Sequence, residues 1–349
     1  MSGFERWQLP DGINELLAEE AWSVEFLRRA VIDLARERGY DLVAPPVVEY
    51  LDSLLTGTGE TLARDTFQFV DQTNGRTLGI RADMTPQVAR IDARSRRNDA
   101  PGRLVYTGTV LRTRVDKLGG SRNPLQFGAE LFGDPSPESD IDIIRLMIDT
   151  VLLAGLDSGS LVLDLGHVGV FESLVSAAGL DESAQGRLFD AIERGSIPDL
   201  EAVLDALLRD ETQALNEAQA EGFLALFSLH GSADVLERAS TRLGGLSERV
   251  ESAIVRLRAI ITAIAESHPT LRCQLDLAEL RGYRYHTGAV FALLDAEGRR
   301  LAQGGRYDDI GRDFGTARAA TGYSGDLVAL AMHPDATHHP SADTLLNDP

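Results

Sequence analysis

Apolar residues recur at helical spacing from residue 15 to 38. Leu16, Leu17, Trp22, Phe26, Leu27, Ala30, Val31 and Leu34 fall on one stripe, and Gly39 follows where a helix would close. The spacing predicts a helix there. The next stretch, 40–48, turns extended and is interrupted by Pro45 and Pro46. Proline has no amide to give to a ladder, so this strand belongs at an edge or an interface. Strands at 66–70 and 76–82 surround a turn at Asn74-Gly75. The run 84–97 reads as a helix with proline in its first turn. Strands at 104–114 and 125–132 then flank a loop holding Gly119, Gly120, Asn123 and Pro124. A helix at 139–153 and a strand at 161–165 complete this half.

From about 170 to 267 the pattern changes. Helical periods rich in Ala, Leu and Glu are broken at Gly179-Leu-Asp, Gly195-Ser-Ile-Pro, Gly231-Ser and Gly244-Gly. This predicts an inserted helical subdomain whose charged stretches are solvated faces. Strands return at 273–277, 289–294 and 299–303. Residues 332–349 are polar and proline-bearing, as a disordered tail would be. His338 and His339 sit in that tail, where two adjacent histidines make no metal site.

The strand pair around residue 112 carries the first chemical signal. Alternate residues of a strand share a face, which groups Gln126 with Gly128 and Glu130, and Val110 with Arg112 and Arg114. Such a face suits a small molecule bearing a carboxylate and an amine. A solvated sheet face with incidental ion pairs fits the same spacing. The segment RGYRYHTGAVF, 281–291, sets Arg281, Tyr283, Tyr285 and His286 ahead of a strand. AQGGRYDD, 302–309, adds a glycine-rich turn with Arg306 and Tyr307. Glycines beside aromatics mark either a close approach of backbone to ligand or a β-meander whose rings cap the core. Asp83 stands at a strand-to-helix junction, where it serves a helix cap as readily as an amine.

Composition narrows the partners. The 349 residues are 43% hydrophobic, enough for a real core. With 34 basic and 54 acidic residues the net charge is −20, which opposes a phosphate-binding surface. Lys117 is the sole lysine, and no phosphate-loop signature surrounds it. Cys273, the single cysteine, lies in an apolar run and reads as a core thiol. It rules out an intrachain disulfide and fits a reducing cytoplasm. The first residues lack the basic and apolar regions of a signal peptide, and no apolar run is long enough to span a bilayer.

Taken in order, these segments resemble the catalytic core of histidyl-tRNA synthetase, a class II aminoacyl-tRNA synthetase. GYDLVAPPVVE resembles the class II dimer-interface motif, ending at Pro46. Arg112 falls on the motif 2 arginine, ahead of a Gln-x-Gly-x-Glu strand. RGYRYHTGAVF is similar to the family's R-G-L-D-Y-Y segment, and GGRYDD to its G-G-R-Y-D. The resemblance covers residues 4–169 and 270–333. It implies an α+β fold with an antiparallel sheet flanked by helices, built from residues 1–169 and 268–333. Residues 170–267 would be the inserted helical subdomain and 334–349 the disordered tail. It implies a histidine ligand, with Asp83 on the α-amino group, Arg112, Gln126 and Glu130 on the floor, and Arg281, His286 and Tyr307 in the wall.

The departures from the family are concentrated where it holds ATP. Val328 and Ala329 stand where it has Glu and Arg, Arg114 replaces the glutamate set against adenine, and Arg284 replaces an aspartate. Alanine cannot stabilise the charge that develops as phosphate is displaced. No catalytic residue, cofactor or metal is therefore expected, and no anticodon-binding domain follows residue 333. A retained amino-acid pocket with a lost nucleotide grip resembles the regulatory subunits of ATP phosphoribosyltransferase. Their Asp-Met-Thr-Pro-Gln and Tyr-His-Thr-Gly-x-Val-Phe segments are similar to those at 83–87 and 285–291. That resemblance implies a non-catalytic role in histidine biosynthesis and its feedback. It implies a homodimer within a larger hetero-oligomer with the short catalytic subunit, without tRNA or membrane. A histidine-binding protein with no such partner, and a working histidine-activating ligase, stay as alternatives.

Overall fold

The structure, a computed structural model, describes residues 8–56, 60–95, 100–115, 120–210, 212–280, 285–310, 312–315 and 317–337. Helix α1 (Ala18–Glu37) leads to the short strands β1 (Asp41–Leu42) and β2 (Val48–Tyr50). Helices α2 (Leu51–Leu54) and α3 (Glu60–Asp65) precede β3 (Phe67–Val70) and β4 (Thr77–Ile80). Helix α4 (Thr85–Ser95), the hairpin strands β5 (Gly102–Thr109) and β6 (Leu125–Phe132), and helix α5 (Pro137–Leu152) follow. After β7 (Val162–His167) come α6 (Val168–Ala177), α7 (Glu182–Glu193), α8 (Ile197–Leu208) and α9 (Glu217–Leu226). Next are β8 (His230–Gly231), α10 (Val235–Leu243) and α11 (Glu248–Ser267). The last elements are β9 (Arg272–Asp276), β10 (Ala289–Leu294), β11 (Arg300–Arg306), β12 (Ala320–Asp326) and α12 (Leu327–Ala331).

The chain divides into two compact units. The first comprises Met1–Asp134, Leu146–Leu156 and Asp308–Pro349, the second Pro135–Arg145 and Asp157–Tyr307, so the boundary falls within α5. In the first unit the strands run β1-β5-β6-β12, and β2-β4-β3 form a separate antiparallel sheet. In the second the order is β11-β10-β7-β9-β8. Most pairs are antiparallel, but β1–β5 and β7–β9 are parallel. The sheets are therefore mixed rather than wholly antiparallel. Both parallel pairs join strands separated by long connections with helices in them, which parallel strands require.

Local chemistry explains most boundaries. Helix α1 begins at Ala18, where the Glu20 carboxylate accepts the Leu17 amide at 3.0 Å, and ends at Gly39 in a left-handed conformation (φ 79°). The extended run 40–48 splits into β1 and β2 because Pro45 and Pro46 break it. Their carbonyls accept instead from Arg81 Nη1 (2.6 Å) and Gln87 Nε2 (2.8 Å), both buried side chains. Several of the helices between 168 and 267 are started by side-chain caps. Asp181 accepts from Ala184 N, Ser196 from Asp199 N and Asn216 from Gln219 N. Strand β5 stops at Thr109, earlier than the sequence pattern suggests, and the alternation through 110, 112 and 114 fails with it. Val110 is buried in the core, Arg112 makes an isolated bridge to Thr66, and Arg114 turns outward to pair with Asp65 at 2.9 Å.

Two further expectations change. Cys273, read as a core thiol, is only partly buried, although burial still raises its pKa. At the other end, Thr337 donates from its amide to the Ala154 carbonyl (3.1 Å) and from its hydroxyl to that of Gly155 (3.0 Å). The chain is thus anchored as far as residue 337, and the rest of the proposed tail, with His338 and His339, lies outside the described residues. Among the described residues no helix is long and apolar enough to cross a membrane.

Candidate functional site

Strand β6 builds the floor expected from the sequence. Its register sets Tyr106 of β5 opposite Gly128, and Glu130 opposite Leu104 on one side and Gly322 on the other. Gln126 and Glu130 are both buried, at 4% and 1% exposure. Gly128 between them is obligatory. A Cβ there would lie 2.5 Å from the Tyr106 hydroxyl and from the Tyr323 carbonyl oxygen. Glycine lets the Tyr106 ring cross the strand and deliver its hydroxyl to Glu130.

The floor is one hydrogen-bonded cluster. Tyr106 donates to Glu130 Oε1 at 2.9 Å, and its oxygen lies 3.0 Å from Thr85 Oγ1. Gln126 donates through Nε2 to Asp83 Oδ1 (2.7 Å) and accepts from the Met84 amide through Oε1 (3.0 Å). Asp83 Oδ1 also accepts the Thr85 amide at 3.1 Å. The two readings of Asp83 are therefore compatible: Oδ1 serves the start of α4, and among the described residues Oδ2 accepts no hydrogen bond. Arg112 donates from Nε to the Ala82 carbonyl at 3.3 Å, next to Asp83 in the chain. The structure thus brings Asp83, Gln126 and Glu130 together, with Arg112 beside them.

Sequence reasoning missed Tyr106 and Thr85. Tyr106 reads as an ordinary core aromatic, and its signal was the hairpin register that sets it against a glycine.

The electrostatics of the floor are unusual for a protein surface. Burial holds the Glu130 carboxyl well above the usual carboxylate range, and the nearby Asp83 charge adds to the effect. The hydroxyls of Tyr106 and Thr85 pull the other way. Burial likewise raises Tyr106, with the charges of Glu130 and Asp83 contributing. At the end of β12, burial raises the Asp326 carboxyl, which caps α12 by accepting the Val328 amide at 3.0 Å.

The second unit holds the remaining expected residues. His286 and Tyr307 lie with ring centroids 6.3 Å apart, and Tyr285 stacks on Tyr307 at 5.6 Å and 24°. The Gly304-Gly305 pair explains the close approach of the histidine: a Cβ at Gly305 would sit 3.0 Å from the His286 ring. Among the described residues the buried His286 Nδ1 has no hydrogen-bond partner, and burial lowers the imidazole pKa to about 4. It is a neutral ring with an unspent nitrogen. Arg281 lies outside the described residues.

Arg306, singled out with Tyr307 in the sequence, is committed elsewhere. Its guanidinium meets the fully buried Asp140 at 2.9 Å, and Arg256 meets the same carboxylate at 2.5 Å. Ser139 Oγ accepts from Arg306 as well, at 2.5 Å. Next to this cluster, burial and the Arg256 charge lower His167 to about 4, against the opposing pull of Asp140. His167 Nδ1 accepts the Gly169 amide at 3.2 Å, as a neutral imidazole must. Among the described residues no group of three or more His, Cys, Asp or Glu is arranged to hold a metal ion.

Comparison with known proteins follows this geometry. The family model for histidyl-tRNA synthetase matches residues 12–330. An ATP phosphoribosyltransferase regulatory subunit of Thioalkalivibrio sulfidiphilus is 50% identical over 331 residues, 95% of this chain and 82% of that protein. One of Methylococcus capsulatus is 48% identical over 327 residues, 93% of this chain and 79% of that protein. Among solved structures, a Bacillus halodurans C protein described as an ATP phosphoribosyltransferase regulatory subunit/histidyl-tRNA synthetase superposes with a TM-score of 0.79. It is 26% identical, covering 95% of this chain and 84% of that one. The chain belongs to the histidyl-tRNA synthetase-like family and, within it, to the ATP phosphoribosyltransferase regulatory subunits.

Proposed function

We propose that this chain is the non-catalytic partner of a short ATP phosphoribosyltransferase catalytic subunit, and that it serves histidine biosynthesis in the cytoplasm. The observation that carries this reading is the 50% identity to a regulatory subunit across 95% of the chain. The nucleotide end of the fold supports it. Val328 and Ala329 supply no charge, Arg114 is paired with Asp65, and the Asp326 carboxylate occupies the start of α12 where a phosphate would need a donor.

Histidine is the proposed ligand, with Asp83, Arg112, Gln126, Glu130, Arg281, His286 and Tyr307 as the residues proposed to contact it. Buried carboxyls and an unspent imidazole nitrogen suit a ligand that is itself a zwitterion with an imidazole. Histidine bound here would set the activity of the assembly only by favouring one of its states. Residues 170–267 are read as an inserted subdomain of the same core. Leu17 and Trp22 near the start of α1, Leu42 of β1, and Val47 and Val48 are exposed large apolar side chains. Burying them against a second copy would give the homodimer on which the hetero-oligomer is built.

The test is reconstitution. Mixed with the short catalytic subunit, the chain should co-elute in a larger complex whose phosphoribosyl transfer exceeds that of the catalytic subunit alone. Separate elution with unchanged activity would refute the assignment. Histidine-dependent exchange of pyrophosphate into ATP should stay at the buffer level, and measurable exchange would show a working ligase instead.

A further inference from the structure

Arg81 stands between β4 and α4, two residues before Asp83, and is 5% exposed. Its Nε donates to the Thr109 carbonyl at 3.0 Å and its Nη1 to the Pro45 carbonyl at 2.6 Å. Both partners are neutral. Among the described residues its Nη2 makes no hydrogen bond and no carboxylate pairs with the guanidinium. Other well-covered arginines of the fold are answered in kind: Arg90 meets Glu49, Arg306 meets Asp140 and Arg318 meets Asp92. A buried cation without a counter-charge is costly to hold.

Strand register shows where Nη2 lies. Gly108 of β5 is directly opposite Gln126 of β6, and Asp326 of β12 is opposite Gln126 on its other side. Opposed residues point to one face of a sheet, so a side chain at 108 would join Tyr106, Gln126 and Glu130 on the floor. Glycine has none, and Arg81 Nη2 fills the space that its Cβ would take. The guanidinium thus reaches the floor face beside Gln126, whose Nε2 holds Asp83 at 2.7 Å. Among the described residues Arg81 and Asp83 border the same glutamine without pairing with each other.

Resting on the histidine reading above, we propose that Arg81 is a further ligand-binding residue, whose Nη2 takes the carboxylate of the bound amino acid while Asp83 takes its ammonium group. A zwitterion brings both charges and answers both protein groups. An amine that lacks the carboxylate answers only Asp83. The N–H groups of Nη2 make charge-assisted hydrogen bonds to a carboxylate, which has oxygens to accept them. Arg81 thereby selects the amino acid from relatives whose carboxylate has been removed or reduced.

A cycle between protein and ligand tests the proposal. Titration calorimetry of the full chain compares L-histidine with L-histidinol, in which a hydroxymethyl group replaces the carboxylate. The wild type should prefer histidine at least about tenfold, and Arg81→Met should lose about tenfold of that preference. A merely structural arginine would weaken both ligands alike and leave their ratio where it was. A ratio that falls threefold or more supports the proposal, and a smaller change overturns it. Should a thermal scan show that Arg81→Met does not fold, Gly108→Ala decides by the same ratio, because its Cβ displaces the guanidinium while keeping the charge. Absence of any histidine heat in the wild type would remove the ligand reading, and the proposal with it.

Discussion

Asp140 in the second unit and Glu130 in the first are both carboxyls closed off from water, at 0% and 1% exposure, and they are treated in opposite ways. Two guanidiniums, those of Arg256 and Arg306, converge on Asp140, with Ser139 and backbone carbonyls completing the arginines' donor sets. Glu130 instead accepts the Tyr106 hydroxyl, and the Asp83 charge acting on it is of its own sign. The first arrangement answers its own charge and is architecture. The second is held beside hydroxyls with its pKa raised, in the floor proposed to receive a ligand. Burial alone therefore does not decide how a carboxyl titrates; the groups set against it do.

The largest effect should come from breaking the self-sufficient cluster. Asp140→Ala leaves two arginines facing each other in the interior, and urea unfolding should show a loss of about 3–5 kcal/mol. A loss below about 1 kcal/mol would mean that water or another carboxylate replaces Asp140, and the contrast with Glu130 would fail.

The two regions should also differ in the sign of their pH dependence. His167 titrates near 4 when folded and near 6.5 when unfolded, so between those values the unfolded chain binds the additional proton. Stability is therefore lost as pH falls through that window, by about 3 kcal/mol if His167 acts alone. His167→Gln should flatten the fall, while His286, also near 4, retains its own share. Glu130 works the other way. Its folded pKa is raised, so above the ordinary value of 4.5 the folded chain holds a proton that the unfolded chain gives up. Its contribution weakens as pH rises, and Glu130→Gln should gain on the wild type in that direction. Denaturation midpoints across pH 4 to 8 would show both slopes, and parallel slopes would refute the comparison.

Recognition should be separable from stability in the first unit. Asp83→Asn keeps an oxygen for the Thr85 amide but removes the charge offered to an ammonium group. Histidine affinity should fall about tenfold or more with little change in melting temperature, as calorimetry beside a thermal scan would reveal. Unchanged affinity would place the ammonium contact elsewhere. The smallest effect is expected from Tyr106→Phe, which removes one hydroxyl bond to Glu130 and should cost about 1 kcal/mol. A neutral result would show that Thr85 alone satisfies the acid.

Much of this was legible in the chain because local rules dominate where the elements are regular. The β6 alternation placed Gln126 and Glu130 on one face, and helix breaks at Gly179, Gly195 and Gly244 matched real ends or caps. The rules failed where side chains from distant positions decide. Pro45 and Pro46 do lie between two edge strands, β1 and β2, but nothing in the sequence shows that Arg81 and Gln87 take their carbonyls. Arg306 reads only as a member of the glycine-rich turn beside Tyr307, because nothing in GGRYDD points to Asp140, 166 residues away. Tyr106 was hidden for the opposite reason: an apolar-looking ring in a strand gives no sign that its hydroxyl organises the floor.

The capped start of α12 has a consequence for how this lineage can change. The Asp326 carboxylate accepts the Val328 amide, three residues before Ala329, where the ligase pattern has arginine. Restoring an arginine at Ala329 would meet that carboxylate before it met a triphosphate. Removing Asp326 first would strip the helix of its cap and confer no nucleotide grip by itself. Each single step backward is unfavourable until the other has been taken. The turn therefore works as a ratchet, and a return from regulator to ligase would need simultaneous changes that drift seldom supplies.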